Sequence, residues 1–262
     1  EVGNSEVGHL NIGSGRIFYQ ELPRINKYIR DGLFYKNSVL LKAIEHARKN
    51  NSQLHLVGLV SDGCVHSSTE HLYALLTLAK KENAGKVFIH AILDGRDTAF
   101  NAGYNYISDL ENLIKEYGIG KIATVSGRFY AMDRDNHWER ISKAYLAMAA
   151  GEGNKAESAL KAIKESYDKK IYDEEFVPAI IGANKEKAEG LISDNDAVIF
   201  FNYRADRARE LTKAFTLPGF DKFKRQKYLK NLLFTCFTEY EKDLPIEVAF
   251  TQESVKNTLG ET

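Results

Sequence analysis

Leu54-His55-Leu56-Val57-Gly58-Leu59-Val60 runs into the loop Ser61-Asp62-Gly63-Cys64-Val65-His66 and then into Ser67-Ser68-Thr69-Glu70, and this stretch decides the fold. The apolar run has the length and composition of a buried strand, and the polar, glycine-containing loop ends it. Ser67 to Glu70 has the spacing of a capping box, with a hydroxyl for an exposed helix amide and a carboxylate reaching back. Leu72, Leu75, Leu76 and Ala79 then recur at i, i+3, i+4 and i+7, one apolar face of a helix. The order strand, loop, helix is half of a βαβ unit.

The same pattern repeats along the chain. Val87 to Ile92, Ile122 to Val125 and Ala197 to Phe201 read as buried strands, with Leu232 to Phe237 and Val248 to Phe250 as later ones. Helical stretches lie between them at Tyr106 to Tyr117, Trp138 to Ala150 and Ala156 to Tyr167, and at Leu40 to Ala47 with Asn37 or Ser38 as the cap. The fold class predicted is α/β: a mostly parallel sheet covered by helices on both faces, with a ligand crevice at the carboxyl ends of the strands.

Composition narrows the partners. In 262 residues, 36 Lys+Arg balance 36 Asp+Glu, which leaves no basic excess for a nucleic acid. Hydrophobic residues at 44% and charged ones at 27% are ordinary globular values and argue against disorder. Cys64 and Cys236 form no metal-binding CxxC pair and read as reduced thiols, so a cytoplasmic protein is expected. Apolar runs such as Ala197 to Phe201 are too short for a bilayer, and no signal segment opens the chain, so no membrane role is expected. The chain begins at Glu1 inside a Gly-rich loop and reads as a piece of something longer.

Each main strand runs into a polar loop. Arg96, Arg128, Arg134, Arg204 and Arg207 fall there, together with His66 and Asp97. Singly, an Arg-x-Asp is a surface ion pair worth under about 1 kcal/mol, and Asp94-Gly95 is a turn dipeptide. Together, several guanidiniums at one sheet edge describe a pocket for a small doubly anionic ligand, such as a phosphorylated carboxylic acid. Asp97 would be repelled there unless it accepts hydroxyl hydrogen bonds or moves protons. Arg24, Arg30, Arg48, Arg140, Arg209 and Arg225 lack this context and are assigned to surface or packing. Gly3-Asn4-Ser5-Glu6-Val7-Gly8-His9 has glycines on both sides of Ser5, as a nucleophile loop requires, but by pattern alone it is better described as a flexible terminus.

With these residues assembled, the chain closely resembles the cofactor-independent phosphoglycerate mutases, a metal-dependent branch of the alkaline-phosphatase superfamily. The resemblance is carried over the whole chain by Gly3 to His9, Ser61 to His66, Asp94 to Asp97, Gly127 to Arg134 and Phe201 to Arg207. It implies interconversion of 3-phosphoglycerate and 2-phosphoglycerate through a phosphoserine intermediate. Ser5 would be the nucleophile and a manganese ligand, and Asp97 would shuttle protons. His66, Arg96, Arg128 and Arg134 would hold the glycerate moiety, while Arg204 and Arg207 would steady the phosphoryl group. Two manganese ions per full-length enzyme are implied, with the remaining ligands outside this chain.

The resemblance also implies a domain division. Residues 1–19 would be a stub of the phosphatase-like domain with its nucleophile loop and a hinge. Residues 20–253 would form the inserted phosphoglycerate-binding transferase domain, and 254–262 the return hinge. Cys64 stands where the family pattern leads us to expect Gly. A chain lacking most metal ligands is expected to bind substrate as a monomer without turnover. The alternative is a stand-alone phosphoglycerate-binding or sensor domain. Metal-ligand codons in the flanking reading frame would favour the enzyme, and stop signals the binder.

Overall fold

A computed structural model describes residues 20–182, 188–226 and 228–251. Ser5 and the expected segments 1–19 and 254–262 lie outside the described residues. The strands are β1 (Gln53–Leu59), β2 (Lys86–Leu93), β3 (Lys121–Gly127), β4 (Asn154–Ala156), β5 (Ala179–Ile181), β6 (Ala197–Phe200), β7 (Leu233–Cys236) and β8 (Glu247–Val248). The helices are α1 (Glu21–Arg30), α2 (Ser38–Lys49), α3 (Thr69–Lys81), α4 (Gly103–Tyr117), α5 (Arg128–Ala131), α6 (Trp138–Ala149), α7 (Ala159–Asp168) and α8 (Arg209–Thr216).

The strands form one eight-stranded sheet in the order β4-β5-β3-β2-β1-β6-β7-β8. Every pairing is parallel except β3 with β5, which is antiparallel. The predicted α/β class is therefore the observed one, with an edge pair added at the β4 end.

Side-chain alternation divides the core between two faces. Leu54 and Leu56 of β1, with Ala197 and Ile199 of β6, pack with Ile25, Leu40, Ile44, Leu72, Ile107 and Ile163 from α1–α4 and α7. Val57 and Leu59, with Val198 and Phe200, pack instead with Ile141, Tyr145, Leu211 and Phe215 from α6 and α8. The central strands are thus covered on both faces, which is why β1 reads as a mostly apolar run.

Capping follows chemistry in one place and departs from it in another. The Asn37 side chain accepts from the amides of Val39 and Leu40, as an N-cap should. At α3, however, Ser68 is the N-cap residue and its hydroxyl makes no cap bond. The Ser67 hydroxyl turns back to donate to the Leu59 carbonyl at 2.5 Å, tying the loop to the end of β1.

Candidate active site

Because β3, β2, β1 and β6 are neighbours, the loops at their carboxyl ends form one continuous rim. At its centre Asp94 is 1% exposed and is held from four directions. Its carboxylate accepts from Ser61 Oγ at 2.7 Å and from Arg128 Nη1 at 2.6 Å. It also accepts from the backbone amides of Arg96 at 3.2 Å and Asp97 at 3.0 Å. Burial alone would raise this carboxyl, but the Asp97 amide, the Ser61 hydroxyl and Arg128 together hold it below the usual carboxylate range. Sequence alone gives Asp94 only as part of a turn; its partners come from three different strand ends.

Two glycines let the next layer approach. Gly95 has φ +68°, and a Cβ there would lie 2.8 Å from the Glu174 amide nitrogen. A Cβ on Gly127 would lie 2.3 Å from the Glu174 carbonyl oxygen. The turn Asp173–Glu175 can therefore press against both loops, bringing Glu174 Oε1 to 3.2 Å from Arg96 Nη1.

Arg128 Nη1 also donates to Asp97 Oδ2 at 2.6 Å, and Asp97 keeps 20% of its side chain exposed. The same oxygen lies 3.9 Å from Nε2 of His66, which is 3% exposed. On the other side of the imidazole, Nδ1 is 3.7 Å from Asp206 Oδ1. Asp206 in turn accepts from Arg134 Nη1 at 2.8 Å and Arg204 Nη2 at 3.3 Å. Burial, with Arg128 and Arg204 nearby, pushes His66 down to about 4 despite its two carboxylate neighbours. His66 is therefore a neutral imidazole near pH 7.

Arg207 differs from its neighbours. Its Nη1 donates to the Met132 carbonyl at 3.0 Å, and among the described residues it forms no ion pair. Burial, then Arg128, Arg134 and Arg96, hold it below the usual guanidinium value. It lines an open cleft of about 670 Å³ with Arg96, Arg128, Arg140, Asp133 and Glu174. Arg140, assigned above to surface or packing, belongs to this cleft: it pairs with Asp133 at 3.0 Å and lies over the Phe129 ring at 4.0 Å. Its position between Asp133 and Phe129 depends on the turn after β3, which has no periodic signal in the sequence.

The fold thus brings His66, Asp97, Arg128, Arg134, Arg204 and Arg207 into one network, with Arg96 on the cleft wall. Four of the five guanidiniums predicted to be free for ligand already face carboxylates. The acids responsible, Asp94, Asp206 and Glu174, were not among the predicted site residues. Asp94 and Asp206 stand beside arginines in Asp94-Gly-Arg-Asp97 and Arg204-Ala-Asp-Arg207, but that spacing does not say which guanidinium each meets, and Glu174 carries no such signal. Ser5 lies outside the described residues. Among those described, no group of three or more His, Cys, Asp or Glu side chains is placed to hold a metal. They do not by themselves make a manganese site.

A mostly parallel α/β sheet with arginines, a neutral imidazole and a partly exposed carboxylate at its strand ends has the architecture in which ligands bind outside the carboxyl ends of the strands. Residues 25–242 match the family model described as BPG-independent PGAM N-terminus, and the chain belongs to that family. It is 53% identical over 262 residues to a 2,3-bisphosphoglycerate-independent phosphoglycerate mutase of Clostridium perfringens, covering 100% of this chain and 51% of that protein. A Clostridium kluyveri protein of the same description is 55% identical with the same coverage. Among solved structures, a Leishmania mexicana phosphoglycerate mutase crystallised at low cobalt concentration matches with a TM-score of 0.86 and 31% identity. That match covers 98% of this chain and 48% of the other. The chain therefore spans about half the length of the relatives it matches. No described helix is long and apolar enough to cross a membrane.

Proposed function

We propose that this chain is the phosphoglycerate-binding half of a phosphoglycerate mutase. The observation that carries the reading is Arg207: a half-buried guanidinium, with Arg96, Arg128 and Arg134 nearby, that has no carboxylate partner among the described residues. Such a group is stabilised by an anionic ligand that brings its own charge. Arg96, Arg128, Arg134 and His66 hold the glycerate end, and Arg204 with Arg207 steadies the phosphoryl group. Asp97, held by Arg128 and partly exposed, accepts the proton of one glycerate hydroxyl and returns it to the other. His66, neutral, offers a ring nitrogen to a hydroxyl without adding charge.

Ser5 takes the phosphoryl group from one hydroxyl of the bound phosphoglycerate and gives it back to the other, in the full-length protein. A bound manganese ion would supply activation of that serine and charge neutralisation. The part of the cycle that belongs to this chain is retention of glycerate between the two transfers, a positioning task suited to paired guanidiniums. Domains 1–19, 20–253 and 254–262 keep their expected roles in this reading, and the protein works as a cytoplasmic monomer.

Calorimetric titration of 3-phosphoglycerate into the 262-residue chain without metal tests it. Saturable binding, lost in Arg207→Ala, is the expected result. A chain that does not bind would have no ligand site of its own. For the transfer step, Ser5→Ala in a full-length protein carrying this chain should abolish turnover; a variant that still turned over would remove Ser5 as nucleophile.

A further inference from the structure

The site offers an anion two kinds of seat. Arg207 faces the cleft without an ion pair among the described residues. The second seat, formed by Arg134, Arg204 and His66, is already filled by a carboxylate of the same chain. Asp206 meets Arg204 side-on, with Oδ2 accepting from Nη2 at 3.3 Å and Oδ1 in ion-pair contact with Nε at 3.0 Å. Arg134 adds a third contact at 2.8 Å.

This seating is imperfect in one specific way. Among the described residues, buried Asp206 Oδ1 has no hydrogen-bond partner, since its contact with Arg204 Nε does not meet hydrogen-bond geometry. His66 Nδ1, 3.7 Å away on a side chain that is 3% exposed, is also buried and unpartnered. Two buried polar atoms facing each other without a hydrogen bond are costly, and a ligand hydroxyl or oxyanion that took the place of Asp206 would pair with His66 Nδ1 in the tautomer that suits it. The ion pairs that hold Asp206 are easily exchanged: Arg134 and Arg204 are 45% and 49% exposed, and pairs of that kind are weak.

We infer that Asp206 is an internal stand-in for a ligand's anionic group, and that a ligand takes the seat of Arg134, Arg204 and His66 by displacing it. Asp206 then acts as a specificity-determining residue. A neutral ligand cannot displace it, because a desolvated carboxylate would be left without its cations. A ligand carrying its own negative charge exchanges one ion pair for another. The inference rests on the phosphoglycerate-binding reading above for the identity of the ligand, not for the existence of the seat.

The test is titration calorimetry on the 262-residue chain and on Asp206→Asn and Asp206→Glu, with 3-phosphoglycerate and with inorganic phosphate as probes. Removing the internal competitor should tighten 3-phosphoglycerate binding by about fivefold in Asp206→Asn, the size expected for an exchangeable ion pair. Asp206→Glu, which keeps a carboxylate, should bind like the parent chain. If the parent binds 3-phosphoglycerate and Asp206→Asn binds it equally or more weakly, Asp206 is a brace for the arginines and the inference falls while the phosphoglycerate reading stands. If Asp206→Asn tightens both probes and neither protein prefers 3-phosphoglycerate over phosphate, the inference stands and that reading falls. Absence of saturable binding by either probe to all three proteins overturns both.

Discussion

Arg128 Nη1 lies 2.6 Å from Asp94 Oδ1, and the two side chains are 3% and 1% exposed. A pair this buried contributes modestly as a pair, but each member depends on the other for its charge. Asp94→Ala leaves a buried guanidinium with only Asp97 and also releases the amides of Arg96 and Asp97. The expected cost is about 3–5 kcal/mol of unfolding free energy, read from urea denaturation. Asp94→Asn still offers an oxygen to the two amides and should cost less. A loss under about 1 kcal/mol for the alanine variant would mean that Arg128 relaxes into the cleft at little expense.

Arg207 has the opposite profile. Among the described residues its side chain makes one hydrogen bond, to the Met132 carbonyl, so its removal should leave stability nearly unchanged. In the proposed function it is the open cationic seat, and Arg207→Ala should weaken 3-phosphoglycerate binding by about 1.5–3 kcal/mol, the worth of a charge-assisted hydrogen bond. Arg140→Ala should cost less affinity, because Asp133 already neutralises that guanidinium. Equal losses in the two variants would show that the cleft reads total charge and not an uncompensated arginine.

Four buried histidines set the acid limit of stability. His66 is lowered to about 4 and His71 to about 3, both mainly by burial, and burial lowers His55 and His90 as well. Their folded values lie below the unfolded value of about 6.5, so the unfolded chain binds protons that the fold refuses. The stabilisation is fully present above about pH 6.5 and is lost as pH falls toward 4. His66 and His71 each contribute a slope approaching about 1.4 kcal/mol per pH unit in that window, and His55 and His90 act in the same direction. Urea midpoints at fixed ionic strength should hold between pH 8 and 7 and decline below 6.5. A flat profile to pH 5 would mean that these imidazoles accept protons in place.

His55 and His90 also show where sequence reading stops. Their separation in sequence suggests nothing, yet the register Val57↔His90 puts them on neighbouring strands with His55 Nδ1 and His90 Nε2 3.0 Å apart. Asp196 at one end and Thr124 at the other complete a line of hydrogen bonds across three strands. With His55 Nε2 donating to the Asp196 carboxylate, Nδ1 must accept from His90, whose Nδ1 then accepts from the Thr124 hydroxyl. Both rings are thus satisfied while neutral. The central strands were legible because burial on both faces leaves mostly apolar runs at β1, β2, β3 and β6. Strands β4 and β5 were not, since three-residue strands carry no period, and α1 and α8 lack the apolar runs that marked the other helices. The arginines of the site were legible from their place at strand ends. Their acidic partners were not, because which carboxylate meets which guanidinium depends on loop geometry that no local spacing encodes.

Cys64 adopts φ +55°, in the left-handed region that costs a non-glycine residue about 1–2 kcal/mol. The family pattern leads us to expect Gly at this position, and the backbone supplies the reason. Cys64→Gly removes the steric cost but gives the unfolded chain more freedom, about 0.4–1 kcal/mol, so a net gain of about 0.5–1 kcal/mol is expected. Cys64→Val, β-branched at the same angle, should lose stability relative to the parent chain. The urea midpoints should therefore fall in the order Gly, Cys, Val. Because Cys64 is exposed, neither change empties the core, and the ordering isolates the backbone. A glycine variant less stable than the parent would show that a contact of the thiol outweighs the strain, and that the loop carrying His66 is held by its side chain at position 64.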